Sequence, residues 1–188
     1  MKNNYVRLGG ILFIIAAISA GILAWLNGAT SDLIAKNEAM ASMDPAVLEA
    51  VMPGAVMFNE YEDTALVDKI KSENDKFVDL LTAVDASDNQ LGNVVRTWST
   101  VSGYGGDMEL FVGVSTEGKI TGVNVVTHSE TSGLGSRTTE PEFWSQFVGK
   151  DAGEGITDFD AISGVTKSSN SFLSAVNNAI SIYSEYLK

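Results

Sequence analysis

Residues 108–129 read MELFVGVSTEGKITGVNVVTHS, two runs rich in Val, Ile, Phe and Thr on either side of Thr116-Glu117-Gly118-Lys119. β-Branched and aromatic residues fit a pleated surface, and a short connection containing glycine closes a hairpin. Apolar and polar residues alternate only partially. Upstream, KFVDLLTAVDA (76–86) and GNVVRTWSTVS (92–102) have the same character and flank SDNQLG, a second hairpin connection. Four such runs in sequence predict an antiparallel meander. Downstream, PEFWSQFVG (141–149) reads as a short helix. From Ser168 onward Phe172, Val176, Ala179, Ile180, Tyr183 and Leu187 recur at helical spacing on one face, which predicts a C-terminal helix packed on the sheet. The fold class is α+β, an antiparallel sheet with a packed C-terminal helix.

The N-terminus has a different solvent. LGGILFIIAAISAGILAWL, residues 8–26, carries no charge, and the uncharged stretch continues to Ser31. About 20 apolar residues span a bilayer as a helix, and Trp25 suits an interface. The apolar core of a cleaved signal peptide is shorter, about 7–15 residues, so the reading is an uncleaved single-pass anchor. Lys2 and Arg7 precede the span and Asp32 follows it, which puts the N-terminus in the cytoplasm and the rest outside. The residues from Ser31 to Gly54 read as helical, with Pro45 a break and Pro53-Gly54 a stop. The expected organisation is therefore a cytoplasmic N-terminus and anchor over 1–30, a helical connector over 31–60 and an extracytoplasmic domain over 61–188.

Composition removes several function classes. The 188 residues hold 24 Asp and Glu against 12 Lys and Arg, a net charge of −12. Such a chain repels phosphate backbones, so nucleic acid is not an expected partner. There is no cysteine, hence no disulfide, thiolate zinc site or iron–sulfur cluster held by this chain. His128 is the only histidine, too few for a multi-histidine metal centre, and it reads best as a strand-end hydrogen-bonding residue. No catalytic residues and no metal site are expected. Redox chemistry would need a bound organic cofactor.

Three glycine-rich stretches remain: Gly103–Gly106 (GYGG), His128–Arg137 (HSETSGLGSR) and Asp160–Thr166 (DAISGVT). Glycines permit positive φ and close backbone approach, as a planar ligand or a phosphate requires. Thr166 precedes the C-terminal helix, whose N-terminus favours an anion through free N–H groups and the helix dipole. Lys167, Ser168 and Ser169 add donors, and Gly164 allows a tight turn. The competing reading makes Thr166 or Ser168 only an N-cap.

Together these stretches resemble the FMN-binding domain family found in the G subunit of the Rnf electron-transport complex and in the C subunit of the sodium-pumping NADH:quinone oxidoreductase. The resemblance spans the anchor, the Tyr-Gly-Gly turn, the Glu-Thr-x-Gly-Leu-Gly loop and the Ser-Gly-x-Thr motif, and the short length favours the Rnf branch. That family's flavinylation motif, Asp-x-x-Ser/Thr-Gly-Ala-Ser/Thr, reads here Asp160-Ala161-Ile162-Ser163-Gly164-Val165-Thr166. The resemblance implies covalent FMN as a phosphoester on Thr166, installed by a magnesium-dependent flavin transferase with FAD as donor. It also implies that Glu130, Thr131, Gly133, Leu134 and Gly135, with Tyr104 and Gly105, line the flavin beside Ser163, Gly164, Val165, Lys167 and Ser168. Val165 stands where alanine is usual, Lys167-Ser168-Ser169 where the family favours Thr-Ser, and Ser132 where proline is common. Trp144 is a core residue or a ring neighbour.

The implied function is an electron carrier on the outer side of the bacterial inner membrane. It would act among other membrane subunits of a complex that couples electron flow between reduced ferredoxin and NAD to ion transport. Gly9, Gly10 and Gly21 suit close contact with those subunits. Two alternatives stay open: an anchored flavoprotein of another reductase chain, and a non-redox ligand-binding domain.

Overall fold

The computed structural model describes residues 2–42 and 44–188. Met1, in the expected anchor segment, and Met43, in the expected connector, lie outside the described residues. So do the side chains of residues 2–4, 6, 31–42, 45 and 46, including Lys2 and Asp32, which enter the orientation reading. The chain divides into two compact units, residues 1–41 and 42–188.

The first unit is helical. Helix α1 spans Lys2–Ser42, so the anchor and the first part of the expected connector are one element. Within it Arg7–Thr30, 24 residues, is long and apolar enough to cross a membrane, at roughly 36 Å for 1.5 Å per residue. Leu12, Phe13, Leu23 and Trp25 stand exposed along it.

The second unit is built on one five-stranded antiparallel sheet in simple meander order: β1 (Met57–Glu60), β2 (Phe77–Val84), β3 (Gln90–Trp98), β4 (Glu109–Ser115) and β5 (Ile120–Thr127). Four of the five strands coincide with the apolar runs. Strand β1 escapes the sequence pattern because it is a four-residue edge strand with no buried residue. Helix α3 (Thr64–Glu73) escapes it as well; it is capped by Asp63, whose carboxylate accepts from the Leu66 N–H at 3.0 Å, and it buries only Ile70.

Side chains on opposite faces of the sheet feed separate cores. Leu80, Val95, Leu110, Val112 and Val114 meet Phe172, Val176, Ala179 and Tyr183 of helix α5 (Thr166–Tyr186). Leu81, Ala83, Val94 and Phe111 meet Leu48, Val51, Met52 and Ala55, from helix α2 (Pro45–Val51) and the turn after it. With both faces covered, β4 is buried from Glu109 to Val114, and this is why its sequence runs apolar without clean alternation.

Residues 44–60 therefore belong to the folded domain rather than to a connector. Gly113 and Gly122, cross-strand partners, let the backbone of α2 lie directly on the sheet. A side chain at either would collide with the Val51 carbonyl oxygen, which accepts from the Thr121 hydroxyl at 2.6 Å. Short helix α4 (Pro141–Trp144) and a 3-10 turn (Ser145–Phe147) follow β5. Phe143 and Phe147 pack on Phe172, with ring centroids at 5.2 and 5.5 Å, and this aromatic cluster pins the N-terminal half of α5 to the core.

Candidate cofactor site

Helix α5 begins at Thr166, and its cap position is Val165, which offers no side-chain acceptor to the first turn. Thr166 itself is exposed. Neither hydroxyl of the competing capping reading acts as a cap. Thr166 is the first helical residue, and Ser168, fully buried, donates instead to Glu130 Oε2 at 2.8 Å. The N-terminus is left with unsatisfied N–H groups and the positive end of the dipole.

The segment leading into Thr166 is clipped by two side-chain amides. Asn177 accepts from the Ile156 N–H at 2.7 Å and donates to the Ile156 carbonyl at 2.9 Å. Gln146 accepts from the Asp160 N–H at 2.7 Å and donates to the Asp160 carbonyl at 3.3 Å. Ser169 then accepts from the Ile162 N–H at 3.1 Å, and Gly164 turns the chain at φ 79°. A loop with little regular structure is thus delivered to one place by long-range hydrogen bonds.

Beside it lies a cleft of about 270 Å³ lined by Tyr104, Glu130, Thr131, Leu134, Gly135, Gly164 and Val165. The sequence-predicted residues from all three glycine stretches converge here. Gly105 lies behind the rim, its backbone packed on that of Ser129 and Glu130 with no room for a side chain. Gly133, at φ 74°, turns the loop, and its N–H donates to Ser136 Oγ at 2.9 Å. Tyr104 and Leu134 are 70% and 58% exposed, an aromatic and an aliphatic surface next to an anion-ready helix end. The Lys167 ammonium lies over the Tyr104 ring, 5.4 Å from its centroid. Ser163 falls on a different cleft of about 310 Å³ with Arg137, Phe143 and Asp160. Trp144 packs against the main core.

The Tyr-Gly-Gly turn is held by charge. Asp107 accepts from the Ser102 hydroxyl and pairs with Lys76 Nζ at 2.9 Å. The Ser102 hydrogen bond and then Lys76 hold its carboxyl below the ordinary range, and Asp107 in turn raises Lys76.

Behind the cleft sits the least expected feature. Glu130 is 8% exposed, and its Oε1 has no hydrogen-bond partner. The side chain that Gly103 lacks would strike Oε1, and the one that Gly135 lacks would strike Oε2. The Glu130 N–H donates to His128 Nδ1 at 3.1 Å, so His128 does act as a strand-end hydrogen-bonding residue. Sequence reasoning placed Glu130 at the site but missed Gly103, although the glycine run 103–106 contains it.

An uncapped helix N-terminus with an exposed hydroxyl, apolar ring-sized surfaces and glycine-lined backbone fits a flavin mononucleotide, whose phosphate and ring need those two environments. Residues 103–181 match the family model of the FMN-binding domain. The chain is 33% identical to the G subunit of the sodium-translocating ferredoxin:NAD oxidoreductase complex of Acetobacterium woodii, over 97% of this chain and 93% of the relative. It is 31% identical to the G subunit of the ion-translocating oxidoreductase complex of Shewanella baltica (96% and 90%) and 30% identical to that of Methanosarcina acetivorans (90% and 89%). A crystal structure of Shewanella oneidensis NqrC aligns over 55% of each chain at 23% identity and a TM-score of 0.47. The chain belongs to the G-subunit family of the ion-translocating (Rnf) oxidoreductase complexes.

Proposed function

We propose that this chain is the covalently flavinylated electron-transfer subunit of an ion-translocating ferredoxin:NAD oxidoreductase complex. It is anchored by α1 in the cell membrane, with its N-terminus cytoplasmic and its domain outside. The observation that carries the attachment reading is that Thr166 is exposed, opens an α5 N-terminus capped by no side chain, and directly follows Gly164 and Val165, which line the cleft.

In the attachment step Thr166 Oγ1 forms a bond to the FMN phosphorus of FAD on a flavin transferase. The P–O–P bridge breaks, AMP leaves, and the hydroxyl proton passes to solvent. Free N–H groups of the first turn of α5 would hold the phosphate. Leu134 and Tyr104 would offer surface to the ring, with the 130–135 loop beside it. When bound, FMN supplies reversible electron transfer to neighbouring membrane subunits, while the chain positions and tunes it. Gly9, Gly10 and Gly21 give α1 a surface that other helices approach closely.

The test is in-gel flavin fluorescence of the denatured full-length chain coexpressed with the transferase. A fluorescent band is expected for the natural sequence and none for Thr166→Ala. A band that persists in Thr166→Ala, or no band at all, overturns the reading.

A further inference from the structure

Two glutamates are buried among the described residues, and they are treated oppositely. Glu109 is neutralised by Arg96, with guanidinium bonds of 2.8 and 3.2 Å to its two oxygens. Glu130 pairs with no cation among the described residues. Among the described residues its only side-chain hydrogen bond comes from Ser168, and Oε1 is sealed from solvent without a partner. On both sides glycine replaces a side chain that would strike the carboxylate, so Oε1 and Oε2 meet Cα–H groups, which are weak donors. Burying a charge this way costs free energy. Stability alone would favour glutamine or an apolar residue in the same cradle. The cradle is nevertheless assembled from two of the cofactor stretches, at Gly103 and the 130–135 loop, and from Ser168 in the first turn of α5, just after the third.

A ligand in the cleft has this carboxylate behind it, in surroundings that screen charge far less than water does. An added electron is then disfavoured by the charge already there. Resting on the FMN reading above, we propose that Glu130 is a tuning residue whose buried, half-satisfied carboxylate lowers the reduction potential of the flavin. Ser168 and the glycines at 103 and 135 hold that charge in place. Because Oε1 is sealed, the action is through the field rather than through a hydrogen bond that Oε1 accepts from the ring.

The test is a redox titration of the flavinylated, full-length protein in detergent, read by flavin absorbance and normalised to bound flavin. Glu130→Gln keeps the shape and an acceptor for Ser168 but removes the charge. Its midpoint is expected to rise, so that at the natural protein's midpoint the reduced-to-oxidised ratio increases several-fold. An unchanged or lower midpoint overturns the proposal. Ser168→Thr keeps both the charge and its hydroxyl donor while altering the packing around them. Its midpoint is expected not to rise, and a rise matching that of Glu130→Gln overturns the proposal by tracing the effect to packing. A natural chain that takes up no covalent flavin refutes the attachment reading instead, before any potential is measured.

Discussion

At the scale of single residues, Val165 is the instructive case. It stands where the resemblance leads one to expect alanine, one position before the proposed attachment threonine, where two extra methyls look like an obstacle to a transferase. In the fold Val165 is 3% exposed and occupies the cap position of α5, so its bulk is spent on packing and little of it meets a docking enzyme. Val165→Ala is accordingly expected to retain flavinylation while losing about 1–2 kcal/mol of stability, from two buried methyls and the space they leave. Denaturant melts of the natural and substituted chains measure it. A larger effect on flavinylation than on stability would return the residue to the transferase interface. Ser168 shows the converse. Its hydroxyl reads as a phosphate donor in the sequence, but it faces inward to Glu130, because position three of a helix lies on the buried side here.

At the scale of elements, the Tyr-Gly-Gly turn depends on Asp107 and Lys76. A carboxyl held below its ordinary range stabilises the fold above the unfolded value, about 3.9, and loses that contribution as pH falls through the folded value. A raised lysine contributes below its unfolded value, about 10.4, and loses the contribution as pH rises through the folded one. The stability difference between the natural chain and Asp107→Asn is therefore expected to be flat from about pH 5 to 9, to vanish toward the acid extreme, and to shrink toward the alkaline one, where the Lys76 charge is lost. Both partners are about one-third exposed, so its size is at most about 1 kcal/mol. Thermal melts across pH test this; a difference that does not shrink as pH falls below the unfolded carboxyl value, about 3.9, would contradict it. The sheet itself was legible in the sequence because four strands are runs of β-formers bounded by turns. Strand β1 and helix α3 were not, since each is short and buries little.

At the scale of the molecule, the boundary of the domain is the main revision. Proline, glycine and helical composition suggested a connector to residue 60, whereas α2 and β1 complete the second core. A fragment of residues 42–188 is expected to fold cooperatively. One of residues 61–188 would leave Leu81, Val94 and Phe111 uncovered and lose the burial of Leu48, Val51 and Met52. At about 1.5–3 kcal/mol per large apolar side chain, that loss approaches the whole stability of a small domain. Circular dichroism melts of the two fragments distinguish them, and equal melting temperatures would refute the assignment.

The sequence alone determined the apolar anchor, the order of four strands, the C-terminal helix and the three glycine stretches, because each is written in local composition and spacing. Only the tertiary structure decided that α2 belongs to the core, that Ser168 turns inward, and that an unpaired carboxylate lies behind the cleft. Those facts depend on which residues distant in sequence meet. Gly103, Glu130, Gly135 and Ser168 span 66 positions of chain, and no local pattern states that glycines at two of them make room for the charge at a third.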